Sequence, residues 1–310
     1  MISRVADHCF WFGRYIERAE STARLLQATR TLVFDAGLPV TQCWQPLVIV
    51  SGEYPNFLEK FGPDSAGDGE KVQDYMTWNP ENPVSLITTV RAARESARII
   101  RDVLSIDTWE STNELYHFLN SDASKALYAD NREDLYRTLR RHTQLTLAHV
   151  RGTMLHDEPM SFLWLGVMLE RVGQLARTLD MHHHTMEREQ AHEVVQTALW
   201  LSLLRANSGQ EAFMKTRQGR VSATAVVHFL LHEPTFPRSL TYCLRSAQKT
   251  ITDIWPTPSD RPSHSRLTTL ISHLESTKPT TGPTIHSLLT HVVDETAAIS
   301  TAINTEIHGL

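Results

Sequence analysis

Glutamate and arginine recur together at two places in this sequence, on helical patterns that lie 153 positions apart. Each place has a Glu-Arg pair, Glu17-Arg18 and Glu170-Arg171, and a further arginine seven residues after the glutamate. Carboxylates can act as general bases, and arginine side chains bind carboxylates and phosphates in a bidentate manner. Such a set suits the binding or processing of an ionic or zwitterionic group, for example an amino acid or a peptide end.

The repeat covers seventeen residues, from 11 to 27 and from 164 to 180, and both copies have the apolar spacing of an amphipathic helix. A duplication that had only to fold would keep its apolar positions and let its surface charges change. Here charged positions are kept as well, so the repeat is the strongest indication of a site in the chain. The identical positions are Trp11/Trp164, Gly13/Gly166, Glu17/Glu170, Arg18/Arg171, Ala23/Ala176, Arg24/Arg177 and Leu26/Leu179.

The charges of the repeat are predicted to pair between helices. Neighbouring residues on a helix point about 100° apart, so Glu17 and Arg18 cannot pair with each other. We therefore expect both to reach other helices, because a buried charge left unpaired costs ~3–5 kcal/mol. A glycine one turn before each glutamate leaves room for another helix or for a ligand. The two charged stripes are Gly13, Glu17, Glu20, Arg24 and Gly166, Glu170, Gly173, Arg177.

A third segment, residues 91–98, carries a related set of charges beside an apolar stripe. Arg94, Glu95 and Arg98 lie there within two helical turns. The match to the repeat is loose. The segment is nevertheless a candidate partner helix for the two glutamates of the repeat.

The residues alone leave several interpretations of the repeat open. Paired Glu and Arg groups can bind an ionic substrate, hold the helices of a bundle in register, or form solvated helix faces. A di-metal carboxylate bundle is a further alternative, because Glu-x-x-His occurs at Glu114/His117 and Glu189/His192. That spacing is weak evidence in a chain with 16 histidines, and neither it nor the histidine tract 182–184 leads us to expect a metal site.

Long helices must position these residues, since helical periodicity dominates and no segment alternates in the manner of a strand. The sequence predicts an all-α helical bundle with an internal duplication of a long Glu-Arg helix. We expect one domain, 1–310, with pseudo-repeats of about 3–150 and 151–310. The two copies lie on predicted helices from 3 to about 35 and from 159 to the late 180s.

Turn and capping signals predict the boundaries between the other helices. Glycine and proline make 62–82 a first predicted linker and 256–262 a second. Asn82, followed by proline, predicts a helix start with Asn as the cap. Asp107 and Glu110 predict a capping box at the start of the next helix.

The composition is that of an ordinary folded protein, with 21% charged and 41% hydrophobic residues among 310. The net charge of -5 offers no basic surface for nucleic acid, and the longest apolar run, 198–204, is too short to span a bilayer. We therefore expect neither a nucleic-acid nor a membrane partner. No signal peptide is visible and the three cysteines have no metal or redox spacing, so we expect a cytoplasmic protein.

At the repeat and at several further motifs the chain resembles the Alpha-E family, bacterial all-helical domains of unknown function with a Glu-Arg motif. The resemblance covers most of the chain. The matching segments are Ile2–Asp7, Trp11–Glu20, Asn82–Leu86, Ala93–Arg98, Trp109-Glu110, Gly152–Met154, Asp157-Glu158, Leu169–Arg171, Phe229–Leu231 and Phe236–Leu240.

The resemblance implies partners more than it implies an activity. Genes of the family typically neighbour a circularly permuted ATP-grasp ligase and a transglutaminase-like peptidase, which implies a role in ATP-driven amide or peptide bond formation. No cofactor is expected on this chain, and ATP is expected in the partner ligase, because the sequence has no nucleotide-binding motif. Whether the protein is itself an enzyme stays open. The alternative is a non-catalytic scaffold that stabilises the ligase through a purely structural Glu–Arg network.

The resemblance also implies site residues. Glu17, Glu170 and Glu95 are the candidate catalytic groups, able to orient an amine or to act as a general base. The residues that we expect to bind an amino-acid, peptide or acyl-phosphate group are Arg14, Arg18, Glu20, Arg24, Arg94, Arg98, Arg171 and Arg177. The second copy departs from the family pattern at Val167, usually basic, and at Gly173, usually acidic. We therefore expect the first copy to hold the chemistry and the second to be structural.

Overall fold

The computed structural model describes residues 2–35, 40–188, 193–216, 221–255, 257–277 and 283–309. Within these ranges the chain forms fifteen α-helices and no strand, which confirms the predicted all-α class. The helices are α1 (Ser3–Asp35), α2 (Val40–Ser51), α3 (Tyr54–Phe61), α4 (Gly69–Thr77), α5 (Leu86–Ile99), α6 (Ile106–Leu119), α7 (Asp122–Asp130), α8 (Arg132–Thr153), α9 (Glu158–Arg188), α10 (Glu193–Ala206), α11 (Gln210–Thr216), α12 (Ala223–His232), α13 (Leu240–Ile254), α14 (Pro262–Ser276) and α15 (Pro283–His308).

Helices α1 and α9, which carry the two copies of the repeat, cross at the centre of the molecule. Their apolar faces form the middle of the core: Phe12, Ile16 and Leu26 of α1 are fully buried, as are Met168 and Val172 of α9. Burying one such side chain stabilises the fold by ~1.5–3 kcal/mol, so packing holds these long helices together.

The crossing is close because each helix has a glycine at the point of contact. A Cβ atom on Gly13 would overlap the carbonyl oxygen of Leu163, and one on Gly166 would overlap that of Phe10. Phe10 and Leu163 are equivalent positions, each one residue before the tryptophan of its repeat. The two copies therefore meet around a pseudo-two-fold axis, and the space beside each glycine is filled by the other helix.

The same packing order occurs around each central helix. Helices α5 and α8 pack on α1, and α6 packs on both of them. Likewise α13 and α15 pack on α9, and α14 packs on both. The duplication thus extends from one helix to a unit of four. The bounds given above for the domain and for its pseudo-repeats stay predictions.

The segment 62–82, predicted as a linker, is largely helical. It contains a 3-10 helix at Pro63–Gly67 and then α4, since the Asp68 carboxylate accepts hydrogen bonds from the backbone N–H of Glu70 and Lys71. The second predicted linker likewise holds a 3-10 helix at Pro258–Asp260, while residue 256 lies outside the described part of the chain.

Two predicted caps are also wrong. The Asn82 side chain is buried, where it donates to the carbonyl oxygen of Tyr75 at 3.1 Å and accepts from the Val84 N–H at 2.9 Å. Ser85 caps α5 instead. Ser105 caps α6 in the same way, two residues before Asp107, the predicted cap. In both places a serine hydroxyl binds the N–H three residues on, a pattern that serves as a cap.

Candidate functional site

Glu170 of α9 is bound by two arginines of α1. Arg18 donates from Nε to Oε1 at 2.7 Å and from Nη2 to Oε2 at 3.0 Å, which is a bidentate pair. Arg14 donates from Nε to Oε2 at 2.9 Å. The Gln174 amide, one turn further along α9, donates to Oε1 at 3.1 Å. Both oxygens of this buried carboxylate are therefore satisfied by protein groups.

Glu17 of α1 is bound in the reverse direction. Arg171 of α9 places its Nε 2.9 Å from Glu17 Oε2. Arg238, in the segment between α12 and α13, donates from Nη1 to Oε1 at 2.7 Å. The Ser21 hydroxyl also donates to Oε1, at 3.3 Å. Glu17 is fully buried among these groups.

The two Glu-Arg pairs thus exchange partners across the pseudo-two-fold axis. Arg18 of the first copy binds Glu170 of the second, and Arg171 of the second binds Glu17 of the first. This confirms that the adjacent Glu and Arg pair between helices and not with each other. Because a charge unpaired in such a place costs ~3–5 kcal/mol, the exchange fixes the register of α1 against α9.

A third carboxylate, Glu20, extends the network in the first copy. It is fully buried and forms ion pairs with Arg24, one turn later, and with Arg238, which bridges Glu17 and Glu20. The Gln144 amide of α8 donates to Glu20 Oε1 at 3.0 Å. The pairing of Glu20 with Arg24 is the i, i+4 contact that its spacing allows.

The second copy lacks this carboxylate, since Gly173 stands in the place of Glu20. The guanidinium of Arg177 lies against the glycine: a Cβ atom there would be 3.3 Å from Arg177 Nη1. Burial lowers the pKa of Arg177, and the charge of Glu170 opposes that effect. The two copies are therefore unequal, as the sequence indicates.

The electrostatics of the network keep both central glutamates ionised. Burial alone would raise their pKa values, but the arginines outweigh it. Arg18 and Arg14 hold the pKa of Glu170 well below its ordinary value, and Arg171 and Arg238 lower that of Glu17. A general base works best when its pKa lies near the working pH, so these carboxylates are suited to holding arginines more than to accepting protons.

Arginines outnumber carboxylates in this network, which we name the Glu–Arg centre. Its carboxylates are Glu17, Glu20 and Glu170, and its arginines are Arg14, Arg18, Arg24, Arg171, Arg177 and Arg238. The described part of the centre thus has three more positive charges than negative ones, within a chain of net charge -5. A positive surplus at a buried site favours an anionic group nearby.

A family model described as a predicted alpha-helical domain with a conserved ER motif, that is Glu-Arg, matches residues 1–306. This chain belongs to the Alpha-E family. The Glu–Arg centre contains two Glu-Arg pairs, Glu17-Arg18 and Glu170-Arg171.

Relatives of this Alpha-E domain include an uncharacterized protein of Mycobacterium bovis and one of Mycobacterium tuberculosis. Each is 27% identical over 266 residues, which is 81% of this chain and 30% of the relative. The chain therefore spans less than a third of the length of these curated relatives. No solved structure matches the chain. Among the described helices, none has the length and apolar character needed to cross a bilayer.

The prediction that residues 91–98 supply the partners of Glu17 and Glu170 is wrong. On α5, Glu95 is half-exposed and pairs with Arg98 at 2.8 Å, on its own helix. Arg94 donates to Asn113 Oδ1 at 2.9 Å and stacks on Tyr116. Helix α5 does pack on α1, but these charges face away from the centre because its apolar stripe makes that contact. Any catalytic or binding role of these residues stays a prediction.

Arg238 is the residue of the centre that the sequence reasoning missed. A signal for it exists, because Pro237-Arg-Ser-Leu240 repeats Pro83-Val-Ser-Leu86. Both segments end in the serine that caps the following helix, Ser85 for α5 and Ser239 for α13. In the alignment of these two segments, Arg238 of the second unit corresponds to Val84 of the first.

The arrangement does not form a metal centre in the part of the chain that the structure describes. No group of three His, Cys, Asp or Glu side chains there could hold an ion. Glu17 and Glu170 are occupied by guanidinium groups, and the predicted ligands Glu189 and His192 lie outside the described residues. In the histidine tract, His182 is half-buried, and burial lowers its pKa to about 4; the other two side chains are not described.

Proposed function

We propose that this Alpha-E protein works with a circularly permuted ATP-grasp amidoligase in ATP-driven amide or peptide bond formation. In this proposal the Glu–Arg centre binds an amino-acid, peptide or acyl-phosphate group, and ATP binds the ligase. The observation that supports it is the surplus of guanidinium groups over the buried carboxylates of the centre. Arginine forks suit the planar carboxylate and the phosphate of such substrates.

The edge of the centre offers arginine surface for such a group. The side chains of Arg14, Arg18 and Arg238 are 14–19% exposed, so part of each side chain reaches the surface. Arg14 also stacks on Trp11, with its Cζ 4.8 Å from the ring centroid. A partly buried arginine beside an aromatic ring combines charge with an apolar wall, as ligand sites commonly do.

In this proposal the glutamates and arginines have different tasks. Glu17 and Glu170 lie beneath their arginines, so they position those arginines for the incoming group. Their candidacy as general bases, and that of Glu95, stays a prediction. The length of the relatives supports a function shared with other domains. Only 30% of each mycobacterial chain is matched by this chain, so most of each relative lies outside the matched segment. A transglutaminase-like peptidase is a second proposed partner.

The experiment is reconstitution of amide formation with an ATP-grasp ligase from the same gene neighbourhood. Arg14→Gln removes one edge cation, while Arg18 still binds Glu170. We expect the ligation rate to fall at least about tenfold, the equivalent of ~1.4 kcal/mol. Arg245→Gln, an exposed arginine of α13 paired with Glu275, is the matched control and should leave the rate unchanged. A folded Arg14→Gln protein that supports ligation at the wild-type rate would contradict the proposal.

The scaffold alternative is supported by a different observation, the pairing of both Glu17 and Glu170 with arginines inside the protein. Under it, the centre serves stability only. Glu17→Gln would then lower the melting temperature, while the folded fraction would still support ligation at the wild-type rate. Measuring both quantities on the same variant separates the two functions.

A further inference from the structure

A second group of arginines surrounds a cavity of about 300 Å³ bounded by α1, α8, α10 and α11. Its wall includes Arg24, Gln27, Arg140, Arg205, Ser208 and Glu211. The volume is at the lower end of the range of roughly 300–1,000 Å³ that is usual for small-molecule sites. Arg24 connects the cavity with the Glu–Arg centre, but Arg140 and Arg205 belong to neither copy of the repeat.

Two of these arginines have buried N–H groups without a hydrogen-bond partner among the described residues. Arg24 is only 2% exposed; its Nη2 pairs with Glu20, whereas its Nε has no acceptor. Arg140 donates from Nη1 to the Gln27 side chain, and its Nε is likewise buried without an acceptor. An unsatisfied buried donor costs ~1–3 kcal/mol, so an acceptor from outside the protein would be strongly favoured here.

The charges around the cavity also favour an anion. Arg24, Arg140 and Arg205 line it, while Glu211 is the carboxylate on its wall. Burial and the nearby charge of Arg238 lower the pKa of both Arg24 and Arg140, which means that the positive charges are crowded.

Two further carboxylates interact with this group without lining the cavity. Glu133 accepts a hydrogen bond from the Gln27 amide, whose oxygen accepts one from Arg140, and Glu20 forms an ion pair with Arg24. Arg205 donates from Nε to the Gln210 side chain at 2.9 Å. None of these carboxylates is on the cavity wall, so the wall itself keeps a positive excess.

The end of α10 forms part of the cavity wall. Ser208 has φ of 50°, because it is the left-handed residue that ends this helix. The Gly209 N–H donates to the carbonyl oxygen of Leu204 at 2.8 Å, and the Ser208 N–H donates to that of Arg205 at 3.0 Å.

We propose that this cavity binds a small oxyanion with at least two negative charges, a phosphoryl or a polycarboxylate group. Arg24 and Arg140 direct their N–H groups to it, and Arg205 closes the site from α10. The proposal goes beyond the function above because it requires no ligase. Its failure would leave the ligation experiment, which rests on Arg14, unaffected.

The test is isothermal titration calorimetry on the full chain at low ionic strength, with inorganic phosphate in one arm and succinate in the other. Binding in the phosphate arm identifies a phosphoryl site, and binding in the succinate arm identifies a carboxylate site. We expect Arg140→Gln and Arg205→Gln each to raise the Kd at least about tenfold. Arg245→Gln, an exposed arginine of α13 paired with Glu275, is the matched control and should bind as the wild type does.

One variant should act in the opposite direction. Glu211→Gln removes the carboxylate from the cavity wall at an exposed position, so it should lower the Kd about twofold to fivefold without harming the fold. It keeps the test decisive even where an arginine variant does not fold. Absence of binding of both anions to the wild type, or an unchanged Kd in the folded variants, would overturn the proposal.

Discussion

At the scale of the residue, the Glu-Arg dipeptide is explained by its geometry. Two neighbours on a helix point about 100° apart, so one residue offers an acceptor and the next a donor to the opposite helix. Each copy therefore supplies what the other needs: Arg18 binds Glu170 and Arg171 binds Glu17. A single helix would not need these charges, but two crossing copies need them because each copy binds the charges of the other.

The ionised state of the central glutamates predicts acid sensitivity. Because the folded-state pKa values of Glu17 and Glu170 lie below their ordinary value of 4.5, the stabilisation from these groups is present above that pH. It is lost as the pH falls below about 4.5 toward the folded-state values, by up to ~1.4 kcal/mol per pH unit for each group.

Urea unfolding monitored by circular dichroism between pH 3 and pH 7 checks this, and Glu170→Gln should have a shallower loss in acid than the wild type. Glu95→Gln, which alters an exposed pair on α5, should follow the wild-type curve. Parallel curves for the wild type and Glu170→Gln would show that Glu170 does not titrate as described.

The sequence predicted part of this site for a clear reason. Periodicity alone shows which way Glu17 and Arg18 must point, so interhelical pairing follows from it. It does not show which helix each side chain meets, and α5 was the wrong choice because Arg94 and Glu95 pair locally. Arg238 comes from a segment between helices, to which no periodicity applies.

At the scale of the element, the crossing of α1 and α9 depends on glycine. Gly13→Ala and Gly166→Ala would each push a methyl group into a backbone carbonyl of the opposite helix, which can yield only if the helices separate. We expect each to lower the free energy of unfolding by about 3 kcal/mol, the upper part of the usual range for overpacking.

A matched control for these variants lies on α8. A Cβ atom on Gly152 would meet no atom within 4 Å, so Gly152→Ala should be neutral or should stabilise the helix by up to ~1 kcal/mol. Chemical denaturation of the three variants gives the comparison. Equal stabilities of Gly13→Ala and Gly152→Ala would contradict the close crossing.

The long helices were easier to predict than the short ones. Helices α1, α8, α9 and α15 present several turns of apolar spacing, so their existence and extent follow from the sequence. Helices α4 and α7 are nine residues each, and glycine and polar residues around them resemble a loop. They form because Asp68 and Ser121 cap them and because Val72, Tyr75 and Tyr128 are buried by neighbours, which is tertiary information.

At the scale of the whole molecule, two similar units of four helices differ at a few charged positions. Arg14 has its counterpart in Val167, Glu20 in Gly173 and Arg238 in Val84. Each central glutamate therefore receives its second arginine from a different element, Arg14 on α1 or Arg238 before α13. The additional carboxylate, Glu20, and the arginine-lined cavity beside Arg24 make the first copy the more specialised one.

The reactivity of the three cysteine thiols tests how tightly the helices pack around them. Cys9, Cys43 and Cys243 are all buried, and burial raises the pKa of Cys9 and of Cys243 to about 12. Because the thiolate is the reactive form, a disulfide reagent at pH 7.5 should label none of them rapidly in the native protein. In urea-unfolded protein the reagent should label all three thiols rapidly. Rapid labelling of one thiol without denaturant would mean that a helix around it opens locally.

The central claim is that the Glu–Arg motif pairs across the crossing of α1 and α9, and a double-mutant cycle tests it most directly. One cycle combines Arg18→Met with Glu170→Gln, the residues that share two hydrogen bonds. A second cycle combines Arg18→Met with Glu17→Gln, which are neighbours in the sequence but belong to opposite pairs. The measured quantity is the free energy of unfolding in urea at neutral pH.

The structure predicts a coupling energy of about 1–3 kcal/mol between Arg18 and Glu170, and one within ~0.5 kcal/mol of zero between Arg18 and Glu17. Additive effects of Arg18→Met and Glu170→Gln, or a coupling to Glu17 as large as that to Glu170, would contradict the exchange of partners across the axis.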